Sequence, residues 1–226
     1  MGQTRRDLLK LSGLGMSAVA LSSLGARAMA QSLAMNGKAD QPLNILILGG
    51  TGFTGPFQVR YALARGHRVT IFNRGNRSLD WPGPVEELVG DRNEGNLDAL
   101  KDRQWDVCID NPTTLPFWVR DAGEMLQDKV DHYLFTSTLS VYASNAELGA
   151  DESAATLEYS GEDAMAETLD SLRANVGSLY GPLKAESERE VARWFPDRHT
   201  IIRPTLIVGP GDQTDRFTYW PLRMAR

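Results

Sequence analysis

Residues 43–55 read LNILILGGTGFTG. An apolar run from Leu43 to Leu48, broken only by Asn44, ends in four glycines within seven residues. Pro56 follows, and the segment Gln58–Arg65 runs on to Gly66. That order is a buried strand, a glycine turn, and a helix with proline in its first turn and glycine past its end. Gly50, Gly52 and Gly55 give G-x-G-x-x-G, while Gly49, Gly52 and Gly55 give G-x-x-G-x-x-G. Both spacings serve one purpose: a turn free of side chains lets backbone N–H groups approach a pyrophosphate at the positive end of a helix. The last glycine lets helix and strand pack closely. Gly49, Gly50, Thr51, Gly52, Phe53, Thr54 and Gly55 are therefore candidate cofactor-binding residues.

Downstream, short apolar runs alternate with helical patterns. Strands are expected at Arg68–Phe72, Val85–Val89, Trp105–Ile109, His132–Thr136 and Thr200–Ile202, and helices at Asn96–Lys101, Pro116–Leu126 and Tyr180–Phe195. The acidic stretch between Ala146 and Asp170 reads as mostly loop. Alternating strands and helices imply an α/β fold, a Rossmann-type doubly wound parallel sheet with right-handed crossovers. Ligands of such sheets lie at the carboxyl ends of the strands. Those ends carry the glycines, Asn73-Arg74, Asp91, Asn111, Ser137-Thr138 and Pro204.

Upstream, residues 1–30 read as an address rather than as structure. Arg5 and Arg6 lie in a stretch that resembles the twin-arginine export motif; a moderately apolar segment, Leu11–Gly25, and an A-x-A pattern at Ala28–Ala30 follow. The apolar segment is too short to span a membrane. The expected organisation is a signal peptide at 1–30, a linker at 31–42 and a nucleotide-binding domain at 43–226, with export by the twin-arginine machinery to a bacterial periplasm. Arg5, Arg6, Lys10 and Arg27 against Asp7 give the first thirty residues +3, leaving −8 on the rest of a chain of formal net charge −5. An acidic body disfavours non-specific nucleic-acid binding, and none is expected. The single cysteine, Cys108, lies between Val107 and Ile109 and reads as a small buried hydrophobe; His67, His132 and His199 read as strand-edge residues, with no metal site expected.

About twenty residues past the glycines, where an NAD-preferring fold places an acid on the ribose 2′-OH, this chain has Asn73 and then Arg74. An arginine there attracts a 2′-phosphate through charge-assisted bonds, which favours NADP over NAD. Arg74 could equally stack on the adenine or sit in a solvated turn, and Asp91 could accept the adenine amino group or merely end its strand. Tyr180 and Lys184 form a Y-x-x-x-K, placing both on one helix face. A lysine so placed lowers the phenol pKa and can hold the ribose, while the tyrosine serves as general acid/base during hydride exchange with a nicotinamide. With six tyrosines in the chain the spacing alone is unremarkable, but its position after the glycine turn and five strands gives it weight.

GGTGFTG, the GDR at Gly90–Arg92, STLSVY at Ser137–Tyr142, YGPLK at Tyr180–Lys184 and RPTLIVGPGD at Arg203–Asp212 together resemble an extended short-chain dehydrogenase/reductase of the NAD-dependent epimerase/dehydratase family. The resemblance covers residues 43–212 and assigns Thr138 to polarising the substrate oxygen, Tyr180 and Lys184 to the catalytic pair, and Pro204 to the stretch lining the nicotinamide. It implies a sugar-like or nucleotide-sugar alcohol or ketone as the small-molecule substrate, and is compatible with a homodimer. The chain departs from the family's pattern at Asp110-Asn111-Pro112, at Val208, and at Pro182, which fits only if the helix starts close to Tyr180. Family members continue well beyond Arg226, so the resemblance implies a C-terminally truncated chain with the substrate lobe largely missing. Two other readings stand beside this one: a non-catalytic dinucleotide-binding or sensing protein, and an atypical branch of the same superfamily that resembles chloroplast stem-loop RNA-binding proteins.

Overall fold

The computed structural model describes residues 37–111, 114–146, 148–212, 214 and 219–225. The expected signal peptide and the first part of the linker lie outside them. One compact unit covers Asp40–Arg226, and the description below is of that unit.

Six strands, β1 (Asn44–Leu48), β2 (Arg68–Asn73), β3 (Val85–Val89), β4 (Trp105–Asp110), β5 (Val130–Thr136) and β6 (His199–Ile202), form one sheet in the order β3-β2-β1-β4-β5-β6. Every pairing is parallel. Helices α1 (Gly55–Arg65), α2 (Pro116–Leu126), α3 (Leu169–Ala174), α4 (Val176–Trp194) and α5 (Tyr219–Met224) accompany it. The chain crosses from β3, at one edge, over the middle to β4. The exits of β1 and β4 are thus neighbours, and a crevice opens at that reversal.

The period-two alternation of β1 sets the two cores. Leu46 and Leu48 join Cys108, Tyr133 and Phe135 against Val119, Ala122 and Leu126 of α2 and Val191 of α4. Ile45 and Ile47 join Val69 and Ile71 against Val59 and Ala62 of α1. Cys108 is fully buried, as expected, and burial pushes its thiol well above the ordinary range. The histidines pin strand edges: His67 Nδ1 accepts the Leu43 N–H at 3.0 Å, His132 Nε2 meets Thr200 Oγ1 at 2.8 Å, and His199 Nδ1 meets the Phe195 carbonyl at 2.7 Å.

Two expectations need correction. The helix expected at Asn96–Lys101 is a single 3₁₀ turn, Asp98–Leu100, because Asn96 is held in an antiparallel bridge to Asp91. The helix expected at Tyr180 begins four residues earlier, at Val176, so Pro182 lies inside it. An interior proline leaves the carbonyl four residues back without its N–H, a cost of about 3 kcal/mol. That carbonyl belongs to Ser178, which is exposed and can be solvated. The acidic stretch is largely loop, as expected, with one 3₁₀ turn at Ala164–Ala166.

The glycine turn has little tolerance at one position. A Cβ on Gly55 would stand 2.4 Å from the Gly50 carbonyl oxygen, a backbone atom with nowhere to move, whereas at Gly52 the nearest atom is 3.5 Å away. Gly55→Ala should therefore cost about 3 kcal/mol or more and Gly52→Ala under about 1 kcal/mol, read from the midpoints of urea unfolding.

Candidate functional site

The glycine turn leaves β1 through Gly49, whose φ of +82° suits glycine. Its N–H donates to the Phe72 carbonyl at 2.9 Å, and the Gly52 N–H returns to the Gly49 carbonyl at 3.2 Å. Thr54 caps α1 without a side-chain bond, its carbonyl accepts the Phe57 and Gln58 N–H groups at 3.2 and 3.3 Å, and the positive end of the helix dipole faces the turn.

A cavity of about 430 Å³ opens over this turn. Gly49, Thr51 and Gly52 form its base; Asn73, Arg74 and Arg77 come from the β2 exit, Asp91 and Arg92 from the β3 exit, Asn111 from the β4 exit, and Leu169 and Arg173 from α3. Of the residues expected to hold a cofactor, Gly49, Thr51, Gly52, Asn73, Arg74 and Asp91 line it. Gly50 and Gly55 lie behind the lining, where they permit close packing: a Cβ on Gly50 would meet Ile71 at 2.6 Å. Phe53, Thr54, Lys184 and Pro204 are not part of this wall. Pro204 instead accepts the Leu139 N–H at 2.9 Å, tying the chain after β6 to the turn after β5.

That second turn is where the other candidates gather. Thr138 is buried and caps a 3₁₀ turn, Leu139–Val141, by accepting the Ser140 N–H at 3.2 Å. Helix α4 packs on it directly, since a Cβ on Gly181 would stand 2.4 Å from the Ser140 carbonyl oxygen. Tyr180, one residue earlier on the helix, is half-buried. One helical turn on, Lys184 is 1% exposed, donates to the Thr136 carbonyl at 2.5 Å and lies 4.4 Å from the centre of the Phe135 ring. Thr138 and Lys184 thus both lie at the β5 exit, and Tyr180 stands one helical turn before Lys184 on α4.

The sequence reading assigned no role to the ionic network beneath this locus. Asp110 ends β4 with no exposure; Arg92 binds it through both nitrogens at 2.5 and 3.0 Å, and the Tyr133 hydroxyl donates to it at 2.6 Å. Arg92 also donates to the Trp118 carbonyl at 2.8 Å. Burial opposes the charge on Arg92, but Asp110 more than restores it. Burial drives the Tyr133 phenol well up, and Asp110 adds to the effect. Lys184 feels the same network. Burial pushes its ammonium from 10.5 down to about 7, with Asp110 and Glu188 opposing and Arg92 adding to the fall. Glu188, one turn beyond Lys184, is held by Ser137 and by Arg203 at 2.7 Å. The signal for the network was an Asp closing β4 directly after the apolar run Val107–Ile109, and an Arg directly after the Gly-Asp of the β3 exit.

A depressed lysine penalises the folded state in its protonated form. The penalty is full below pH about 7 and fades as pH rises towards 10.5, where the free side chain also loses its proton. The stability of the unmodified chain relative to Lys184→Met should therefore be flat below about pH 7 and rise between there and about pH 10, as read by urea unfolding across pH.

No family model matches the chain. Among solved structures it resembles the Bordetella bronchiseptica enzyme WbmG in complex with NAD, at 15% identity and a TM-score of 0.59 over 83% of this chain and 61% of that one. It also resembles a UDP-glucuronic acid 4-epimerase from Bacillus cereus in complex with NAD, at 17% identity and a TM-score of 0.56 over 80% of this chain and 62% of that one. At such identities the likeness establishes a shared fold, the Rossmann-like α/β sheet of these NAD-bound proteins. Among curated sequences, the chloroplast stem-loop binding protein of 41 kDa b from Arabidopsis thaliana is 29% identical over 77% of this chain. The chain spans about half of that relative, 51% of its length.

Proposed function

We propose that this chain is the nucleotide-binding part of an NAD(P)-dependent oxidoreductase or epimerase acting on a sugar-like or nucleotide-sugar alcohol or ketone. One observation carries the reading: the helix bearing Tyr180 and Lys184 packs without a gap on the Thr138 turn, at the sheet edge where the glycine turn opens. The likeness to NAD-bound structures supports it.

A dinucleotide fits the residues present, because the turn leads into a helix N-terminus and Gly49, Gly50, Gly52 and Gly55 keep side chains off much of its backbone. Such a cofactor would be held by Gly49–Gly52 at its pyrophosphate and by Asn73, Arg74 and Asp91 at its adenosine end. When bound it supplies hydride exchange, and the chain's own groups manage the proton. Tyr180 gives or takes a proton at the substrate oxygen as hydride moves on the carbon bearing it. Lys184, when charged, favours the phenolate; Thr138 donates to the same oxygen and fixes its position.

Tyr180→Phe should lower kcat by about 10²–10⁴ on a matched substrate with the fold intact. Undiminished turnover would rule the mechanism out. Arg74 supports NADP as the preferred cofactor: NADPH should bind more tightly than NADH, and Arg74→Gln should cost NADPH about tenfold while sparing NADH. A clear NADH preference in the unmodified protein overturns that assignment.

The 29% likeness to a stem-loop binding protein favours a second reading, in which the same fold binds nucleic acid. A mobility shift with an RNA stem-loop that weakens steeply with salt would support it. The first thirty residues support export through the twin-arginine machinery, tested by replacing Arg5 and Arg6 with lysine and following the protein to the periplasm.

A further inference from the structure

The cavity over the glycine turn has three exposed arginines, and they come from two distant parts of the chain. Arg74 and Arg77 follow β2, while Arg173 comes from α3, a segment inserted between β5 and the catalytic helix. The fourth arginine, Arg92, has its charge matched by Asp110. Among the described residues, neither Arg74 nor Arg77 forms an ion pair. Arg173 meets Asp170 at 3.0 Å, but both side chains are largely in solvent, 71% and 92% exposed. Such a pair is weak and readily exchanged. The acid facing these cations in the cavity wall is Asp91.

The segment that carries Arg173 is anchored. Thr168 and Ser171 form a capping box at the start of α3. Glu167, the residue before that cap, accepts the Tyr159 hydroxyl at 2.5 Å and the Ser171 hydroxyl. That bond pushes the Tyr159 phenol up to about 12, so it stays a donor at neutral pH. These contacts hold Leu169 and Arg173 at the cavity wall.

We infer that Arg173 is a specificity residue: with Arg77 it completes an anion site begun by Arg74, gripping a phosphomonoester on the adenosine end of the nucleotide from the side opposite β2. The inference rests on the dinucleotide reading and extends it. Discrimination between NADP and NAD would come from both the β2 exit and the strap before the catalytic helix. A dianion matches this place because three cations surround it, and a neutral ribose hydroxyl would leave them unused.

The experiment measures equilibrium binding of 2′,5′-ADP and of 5′-AMP to the full chain and to its Arg173→Gln, Arg173→Lys and Arg74→Gln variants. Arg173 is exposed, so its variants should keep the fold, checked by unchanged thermal unfolding. Arg173→Gln should weaken 2′,5′-ADP about tenfold and 5′-AMP less than twofold, with Arg173→Lys recovering part of the loss. Equal weakening of both probes, or of neither, overturns the inference. If Arg74→Gln loses 2′,5′-ADP selectively and Arg173→Gln does not, the strap has no such role and the NADP reading stands. If neither probe binds the unmodified chain, both readings fall.

Discussion

A carboxylate that water does not reach ends the central strand β4, and much of the site hangs from it. Asp110 is kept in place by the Arg92 guanidinium and the Tyr133 hydroxyl, which bring the β3 exit and β5 to the same point. A further bond of Arg92, to the Trp118 carbonyl, adds the first turn of α2. Removing one partner from such a buried pair costs about 3–5 kcal/mol, since the other charge is left without compensation. The network therefore fixes the spacing of the strand exits more firmly than loop backbone alone would. It also leaves a negative charge near Lys184, which partly offsets the burial that strips that lysine of its proton.

Asn111, the next residue, couples this network to the glycine turn. Its N–H donates to the Leu48 carbonyl at 3.1 Å, its side chain pairs with Gln58 of α1, and Thr136 donates to it at 3.1 Å. Its own carbonyl lies 3.2 Å from where a Cβ on Gly49 would be. Glycine turn, strand reversal and β5 exit are therefore braced against one another by the backbone and side chain of a single residue.

The sheet was legible in the sequence because its central strands β1, β2, β4 and β5 are short runs of mostly apolar residues closed by polar or glycine turns, and burial is deepest there. The glycine turn was legible because a close approach leaves no room for a side chain at two positions, to the Ile71 side chain at Gly50 and to the Gly50 backbone at Gly55. The start of α4 was not. Val176, Gly177 and Ser178 carry no helical signal of their own; they are helical because packing of Gly181 on the Ser140 carbonyl fixes the axis, and the helix grows back from there. Nor was the short helix α3, whose capping box depends on Ser171 rather than the usual acid at the third helical position. Ionic pairing across long separations, such as Arg92 with Asp110, leaves no periodic trace. Only the fold reveals which charges meet.

Pro182 stands between Tyr180 and Lys184 inside α4. The missing bond to Ser178 makes this the softest point of an otherwise continuous helix. Lys184 lies on the rigid side, locked to Thr136 and Phe135, while Tyr180 lies on the compliant side with solvent around the preceding residues. A residue usually excluded from helix interiors thus leaves one backbone bond unmade between a half-buried tyrosine and a fully buried lysine, and divides the helix into a tightly held half and a less tightly held one.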